Sequence, residues 1–460
     1  MLTSTKSGGS KTNVQFLVTK ESFGRNICKD CGLRILVDIR PFRAIRYTEK
    51  AGDPKNLITL PYDKIDSAMQ KSYYSRSPYN FCRLILPTEE NKYEVARKRI
   101  DQWTREGVLA KEEQPAVFVS RQEFTLAGKT RVRTGLIAAL RLYSYDENMV
   151  FPHEVTYSEP KADRLNMLRK VQKDLEPVFL IYSDPDNRTV DFFAETAKTK
   201  PTIEVVDSYG VKHTVWRISD PQKLEFLRKE MEDKNLVITD GHHRYESAIA
   251  YRDERRSKMK WTKDSAFNFH MCYMVPVQDE GLAVFPTHRI LKGFKLSKSV
   301  LEEFNRFFTV SEIGSTAEVA ETYLEGHYQE KAFCVYDGSK VYGLLMKDDI
   351  NVVEIIDAGC PEEACALGVV ILRDLVFKYV IKTGEMQMDK HIVYAGSVKE
   401  AFEKVKDKEG GLAFLVRPIN PKLVWQIALK HWRLPEKSTD FYPKPVSGLT
   451  VMDISSYEAL

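Results

Sequence analysis

LVITDGHHRYESAIAYRDERR, residues 236–256, passes from strand to helix within five residues. Leu236-Val237-Ile238-Thr239 reads as a short buried-type strand, and Tyr245, Ala248, Ile249 and Arg252 recur at helical spacing. The turn Asp240-Gly241-His242-His243-Arg244 is therefore placed at a helix N-terminus, where leading backbone N–H groups and the positive end of the helix dipole favour an anion. Gly241 lets the backbone approach a ligand closely. Arg244 adds a fork of donors matched to phosphate oxygens, and His242 or His243 can donate a hydrogen bond or move a proton near neutral pH. Asp240 would repel a phosphate, so its candidate tasks are to hold a divalent cation or to accept a proton from an attacking hydroxyl. The plainer alternative has Asp240 capping the helix, both histidines exposed and Arg244 paired with a nearby acid. A metal site on the two histidines lacks a third ligand at a helpful spacing.

Helices and strands alternate irregularly around this turn, which predicts an α+β fold with mixed and antiparallel sheets. A strand is expected over 33–48, stopping at Pro41, then Pro-punctuated loops through LPYD and SPYNFCRLILP, and a helix over 91–106 from Val95, Arg99 and Trp103. PAVFVSRQEF and RVRTGLIAALRLYSY form a hairpin about Gly128, and a second hairpin turns near Tyr209-Gly210. Between them the sequence predicts a helix over 164–176 and a strand over 177–184; Asp220 then caps a helix that has Pro221 in its first position. Beyond the central turn, strands are expected at 268–277, 282–291, 331–337, 340–347, 391–395 and 411–416, and helices at 297–308, 316–327, 362–381, 397–407 and 420–431. The expected organisation is a polar leader over 1–32, a core with inserted hairpins over 33–265 and a C-terminal α+β domain over 266–460.

The 460 residues carry 69 basic and 65 acidic side chains, interspersed to a net charge of +4. No whole-protein field favours nucleic acid or a membrane surface, so an anionic ligand must be bound locally. The most apolar stretch, ALGVVILRDLVFKYVI at 366–381, contains Arg373, Asp374 and Lys378 and reads as a core helix. RDERRSKMKWTK (252–263) reads as a solvated helix end rather than a nucleic-acid patch. The leader has no apolar signal core. Cytoplasmic location is the default expectation, with organelle targeting through the leader as the alternative. Seven cysteines, an odd number, argue for reduced thiols; only Cys28 and Cys31 have a spacing with chemical meaning, and no second pair completes a zinc site.

Two further segments concentrate reactive side chains. HEVTYSEPKADR places His153, Glu154, Lys161, Asp163 and Arg164 within twelve residues, in a segment expected to be a loop that lines a pocket or a solvated connection. KSTDFYPKPVSG offers Lys437, Ser438, Thr439 and Lys444, donors suited to phosphate oxygens or residues of a surface turn. His288-Arg289 and Asp63 are weaker pocket candidates.

DGHHRYESA resembles the signature of the ParB/sulfiredoxin-like superfamily, and the whole chain resembles domain-of-unknown-function family ten-fifteen. DIRPFRAIRYT, LPYD, SPYNFCRLILP, HEVTYSEPKADRL, DGHHRYESA, FPTHRIL, RPIN and LPEKSTDFYPKPVSGL carry the resemblance in family order over residues 38–449. It implies a ParB/sulfiredoxin-like nucleotide-binding core. Sulfiredoxins use a GCHR turn with a nucleophilic cysteine, and His242 stands in its place here, which argues against sulfinic reductase chemistry. ParB-type switches carry a DNA-binding helical module that is not evident downstream. Free-serine kinases of the superfamily use a DGHTR turn, matched by Asp240, Gly241, His242 and Arg244 with His243 in place of threonine.

The resemblance therefore implies a phosphotransferase for a small hydroxyl-bearing metabolite, free L-serine in the first instance. Gly241, His243, Arg244, Lys437, Ser438, Thr439 and Lys444 are its candidate phosphate contacts. Asp240, His242 and Glu154 are its candidate catalytic groups, and Asp240 is its candidate ligand for a Mg²⁺ that bridges phosphates of ATP or ADP. Zinc, nucleic-acid and membrane partners are not expected, and the oligomeric state is open. The competing readings are a nucleotide-binding regulator with little or no catalysis, and a scaffold that has lost the site.

Overall fold

The computed structural model describes residues 35–126, 128–155, 158–328, 331–356, 359–381, 391–406 and 410–460; Cys28, Cys31 and the leader lie outside them. The architecture is α+β with mixed sheets, as the irregular alternation predicts. Nine strands form the larger sheet: β1 (Ile39–Arg40), β2 (Val117–Leu126), β3 (Lys129–Arg141), β4 (Val150–Pro152), β5 (Val178–Tyr182), β6 (Ile203–Val206), β7 (Lys212–Ile218), β8 (Leu236–Asp240) and β9 (Phe269–Pro276). Their order is β4-β8-β5-β9-β3-β2-β7-β6, with β1 paired to β3 beyond the end of β2.

Both hairpins form where the turn residues place them. Gly128 and Gly210 adopt φ of +74° and +80°, a region that costs glycine nothing. The middle strands explain their own composition. β5, β8 and β9 are buried along their whole lengths, and β9 runs parallel to β5, as β8 does to β4. Strands covered on both faces read as continuous apolar runs rather than as alternating ones.

The second sheet takes β10 (His288–Lys292), β11 (Phe308–Gly314), β12 (Ala332–Tyr336), β13 (Val341–Met346), β14 (Ile392–Ala395) and β15 (Gly411–Leu415) in the order β11-β13-β12-β15-β10-β14, every pair antiparallel. The single strand expected over 282–291 is two strands in different sheets. Pro286, which has no N–H for a ladder, separates Ala283–Phe285, paired with Asp440–Tyr442, from β10. The last stretch of the chain returns to its N-terminal half through small ladders outside the larger sheet: Val451 bridges to Ile45, and Met452–Asp453 pairs with Lys173–Asp174.

Two helices position the site. α1 (Ser158–Val171) begins earlier than the helix expected over 164–176, because Pro160 falls in its first turn, where no N–H is needed. Lys161, Asp163 and Arg164 therefore stand on a helix and not on the expected loop. α2 (His242–Lys258) buries Arg244, Tyr245, Ser247, Ala248, Tyr251 and Arg252, a stripe at helical spacing, and Ser247 Oγ donates to Lys161 O on α1 at 2.9 Å.

Other differences have local causes. Ser67–Arg76 is a helix capped by Asp66, but its polar composition gives no apolar period to read. Helix 362–381 is instead Glu362–Cys365, Gly368–Ile371 and a π-helical run over Leu372–Val380. Among the described residues no helix is long and apolar enough to cross a membrane.

Candidate functional site

The strand-to-helix turn opens into a cleft of about 100 Å³. β8 carries a bulge between Ile238 and Asp240 against β5, and Thr239 Oγ1 pins it by donating to Phe179 O at 3.0 Å. Gly241 follows at φ +90° as the N-cap of α2, and no side chain caps the helix, so the simple Asp240 cap is not what forms. Tyr245 N is the first to join the ladder, donating to Gly241 O at 3.0 Å, and the N–H groups of His242, His243 and Arg244 precede it. A Cβ on Gly241 would lie 3.0 Å from the Arg244 guanidinium. Only glycine suits both the backbone angle and that contact.

Arg244 does not present the free fork that the sequence suggested. It is buried, with one terminal nitrogen donating to Pro177 O at 2.6 Å and the other to Asp240 Oδ2 at 2.5 Å. Lys444 Nζ takes the other Asp240 oxygen, Oδ1, at 2.8 Å and also lies 3.1 Å from Asp440 Oδ1, which in turn pairs with Lys64 at 2.9 Å. Burial alone would raise the Asp240 carboxyl, but Lys444 and Arg244 outweigh it and hold the group far below the carboxylate range. With Lys444 on one oxygen and Arg244 on the other, Asp240 anchors an ionic network, and its low basicity suits it poorly to accepting a proton. Among the described residues no group of three or more His, Cys, Asp or Glu side chains is placed to hold a metal ion.

Glu154 is committed in a different way. Its Oε1 accepts from Ser438 N, Thr439 N and Thr439 Oγ1, each at 3.1 Å, which ties the 437–439 turn to the end of β4. Burial would raise this carboxyl too, but the neighbouring His153 ring and the Thr439 N–H bring it down to about 2. His153 is buried below the cleft, with Nδ1 donating to Ile238 O at 2.5 Å and Nε2 lying 2.7 Å from Thr439 Oγ1. His242 packs on it with ring centres 4.8 Å apart, and its Nε2 accepts from His153 N at 3.4 Å. Burial, with His153 beside it, takes the His242 imidazole down to about 3, so this ring is neutral at physiological pH. Burial also lowers His243, which lines the cleft and is half-buried.

The structure thus brings Asp63, Glu154, Asp240, Gly241, His242 and His243 to one cleft with Arg244, Lys437, Thr439 and Lys444. Ser438 is buried one position behind, with its hydroxyl on Pro435 O. The remaining candidates stand elsewhere. Lys161 pairs with Glu246 across α1 and α2; Asp163 binds Lys92, Tyr93 and Arg164; and Arg164 lies over the Tyr62 ring. His288 Nδ1 accepts from Val416 N. Arg289 is buried, and braces the turn from behind through Lys437 O at 3.4 Å.

Sequence reasoning missed Tyr62, Lys64, Thr239, Glu436 and Asp440, which also line the cleft. Asp440 stands four residues before Lys444 within a quoted motif, so its charge was legible there. Arg133 gave no signal: it is fully buried on β3, binds Gln122 and the carbonyls of Tyr442 and Pro443, and so sets the bend that delivers Lys444.

The chain matches the family described as "Protein of unknown function (DUF1015)" over residues 39–367, and it belongs to that family. No curated protein matches it. Among solved structures it is similar to a free serine kinase variant in complex with ADP, at 12% identity and a TM-score of 0.36, covering 71% of this chain and 94% of that one. It is similar to a conserved hypothetical protein from Pyrococcus furiosus at 16% identity and a TM-score of 0.33, covering 71% and 97%. A third is SbnI with a C-terminal truncation from Staphylococcus aureus, at 9% identity and a TM-score of 0.34, covering 69% and 87%.

Proposed function

We propose that the cleft binds the phosphates of a nucleotide, ATP or ADP, and supports phosphoryl transfer to the hydroxyl of a small metabolite. The observation that carries this reading is the uncapped N-terminus of α2, which opens on a cleft with the exposed Lys437 on its wall. Free L-serine is the acceptor named by the resemblance of the turn to that of free-serine kinases.

In this reading the N–H groups of His242–Arg244 and the Lys437 ammonium meet the phosphates, while Asp240 holds Lys444 and Arg244 in place. Phosphoryl transfer asks mainly for positioning and charge neutralisation, so fixed donors matter more than a strong base. His243, kept neutral by burial and facing the cleft, takes the proton of the acceptor hydroxyl. Asp240 and Glu154, both tied and weakly basic, are poor bases. No step is routed through Mg²⁺.

That same pairing of the acids favours one second reading, a nucleotide-binding regulator without turnover. Phosphorus-31 NMR of the protein with ATP or ADP and L-serine separates the two. A new phosphomonoester signal that requires serine supports the kinase. Nucleotide binding without such a signal supports the regulator.

A further inference from the structure

Arg244 also lines a second, small cavity of about 30 Å³, bounded in addition by Arg164, Lys173, Asp174, Glu176 and His270. All but Lys173 are buried. Two of these residues carry a buried polar atom that has no protein partner: Arg244 Nε and His270 Nε2.

Their chemistry is complementary. His270 Nδ1 lies 2.7 Å from Asp174 Oδ2, which also accepts from Met271 N at 2.6 Å. A carboxylate accepts, so Nδ1 carries a ring proton, and in the tautomer with that proton alone Nε2 is an acceptor. Arg244 Nε–H can only donate. A halide would satisfy the arginine alone, and the cations around the cavity are already matched: Arg164 with Asp163 and Glu176, Lys173 with Asp453, and Arg244 with Asp240. The volume holds one or two waters.

We infer that this cavity holds an ordered water that accepts from Arg244 Nε–H and donates to His270 Nε2, making His270, oriented by Asp174, a positioning residue for Arg244. The guanidinium is then fixed at three points, Pro177 O, Asp240 Oδ2 and the water. Through Asp240 the same restraint reaches Lys444 and the wall of the cleft.

The test uses the full chain labelled with ¹⁵N-arginine, the Arg244 Nε–H resonance being identified by its loss in Arg244→Lys. In the wild type this resonance shows cross-relaxation with a long-lived water. His270→Asn keeps a group for Asp174 but removes the nitrogen at the cavity, and is expected to shift the resonance and speed its solvent exchange about tenfold. His270→Gln, which restores a polar group there, returns both towards wild type. Absence of the water signal in the wild type overturns the inference, as does an Arg244 resonance unmoved by His270→Asn. Should His270→Asn fail to fold, the wild-type water signal and its survival in His270→Gln decide the matter. None of these readouts involves a nucleotide, so the outcome is separate from that of the proposed activity.

Discussion

Lys444 Nζ lies 2.8 Å from Asp240 Oδ1, joining the end of β8 to a turn 204 residues further along the chain. Burial would lower the Lys444 ammonium, but Asp240 and Asp440 outweigh it and keep the charge. Lys444→Met leaves Asp240 with Arg244 alone. Removing one partner of a buried pair costs about 3–5 kcal/mol, so the urea midpoint is expected to fall accordingly. A midpoint equal to wild type would mean that the pair is not formed in solution.

Gly241→Ala places a side chain at φ +90° and 3.0 Å from the Arg244 guanidinium. The left-handed backbone alone costs about 1–2 kcal/mol, and the displaced guanidinium adds to it. Thermal unfolding is expected to show that loss, while Gly128→Ala, with nothing within 4 Å of its Cβ, shows the backbone cost alone.

Lys437 is exposed at the rim of the cleft, so Lys437→Ala is expected to leave stability within about 0.5 kcal/mol of wild type. Nucleotide affinity is expected to fall about tenfold from the lost charge. Equal affinity in the two proteins would remove Lys437 from the phosphate contacts.

The pH dependence has a definite sign. His242 is held down to about 3 from 6.5, so between those values the unfolded chain binds the proton that the folded protein refuses. Stability from this group is complete above pH 6.5 and is lost as the pH falls towards 3, by at most about 1.4 kcal/mol per pH unit. His243, also lowered, adds the same sign. Glu154, lowered from 4.5 to about 2, contributes stability that is present above 4.5 and lost below it. Urea midpoints between pH 7 and 5 therefore report the histidines against the opposing, raised carboxyls of Glu176, Asp279 and Glu436, and His242→Gln is expected to flatten the histidine limb.

Much of this architecture is legible in the chain because periodicity and turn chemistry agree. Val95, Arg99 and Trp103 mark a helix that forms over Lys92–Arg105, and Asp220-Pro221 starts another where cap and proline coincide. The split at Pro286 was visible as a residue but not as a change of sheet, which depends on distant partners. Within the site, the local turn was legible and its long-range ionic pairing with Lys444 was not. The i,i+4 pair of Arg244 with Asp240 was open to local reading, whereas the turn of Arg244 back to Pro177 and the filling of the Ser438 and Thr439 N–H groups by Glu154 follow from contacts between segments 67 to 285 residues apart. Buried Arg133 and Gln122, which hold the bend before Lys444, carry no pattern on a strand that is already apolar.

The most direct test of the central claim is a calorimetric titration of the purified chain with ATP, ADP and CTP, with Lys437→Ala in parallel. A single nucleotide site, weakened in the variant, is the predicted result. Absence of heat from all three nucleotides at protein concentrations that detect millimolar binding would contradict the phosphate cleft and leave only the fold.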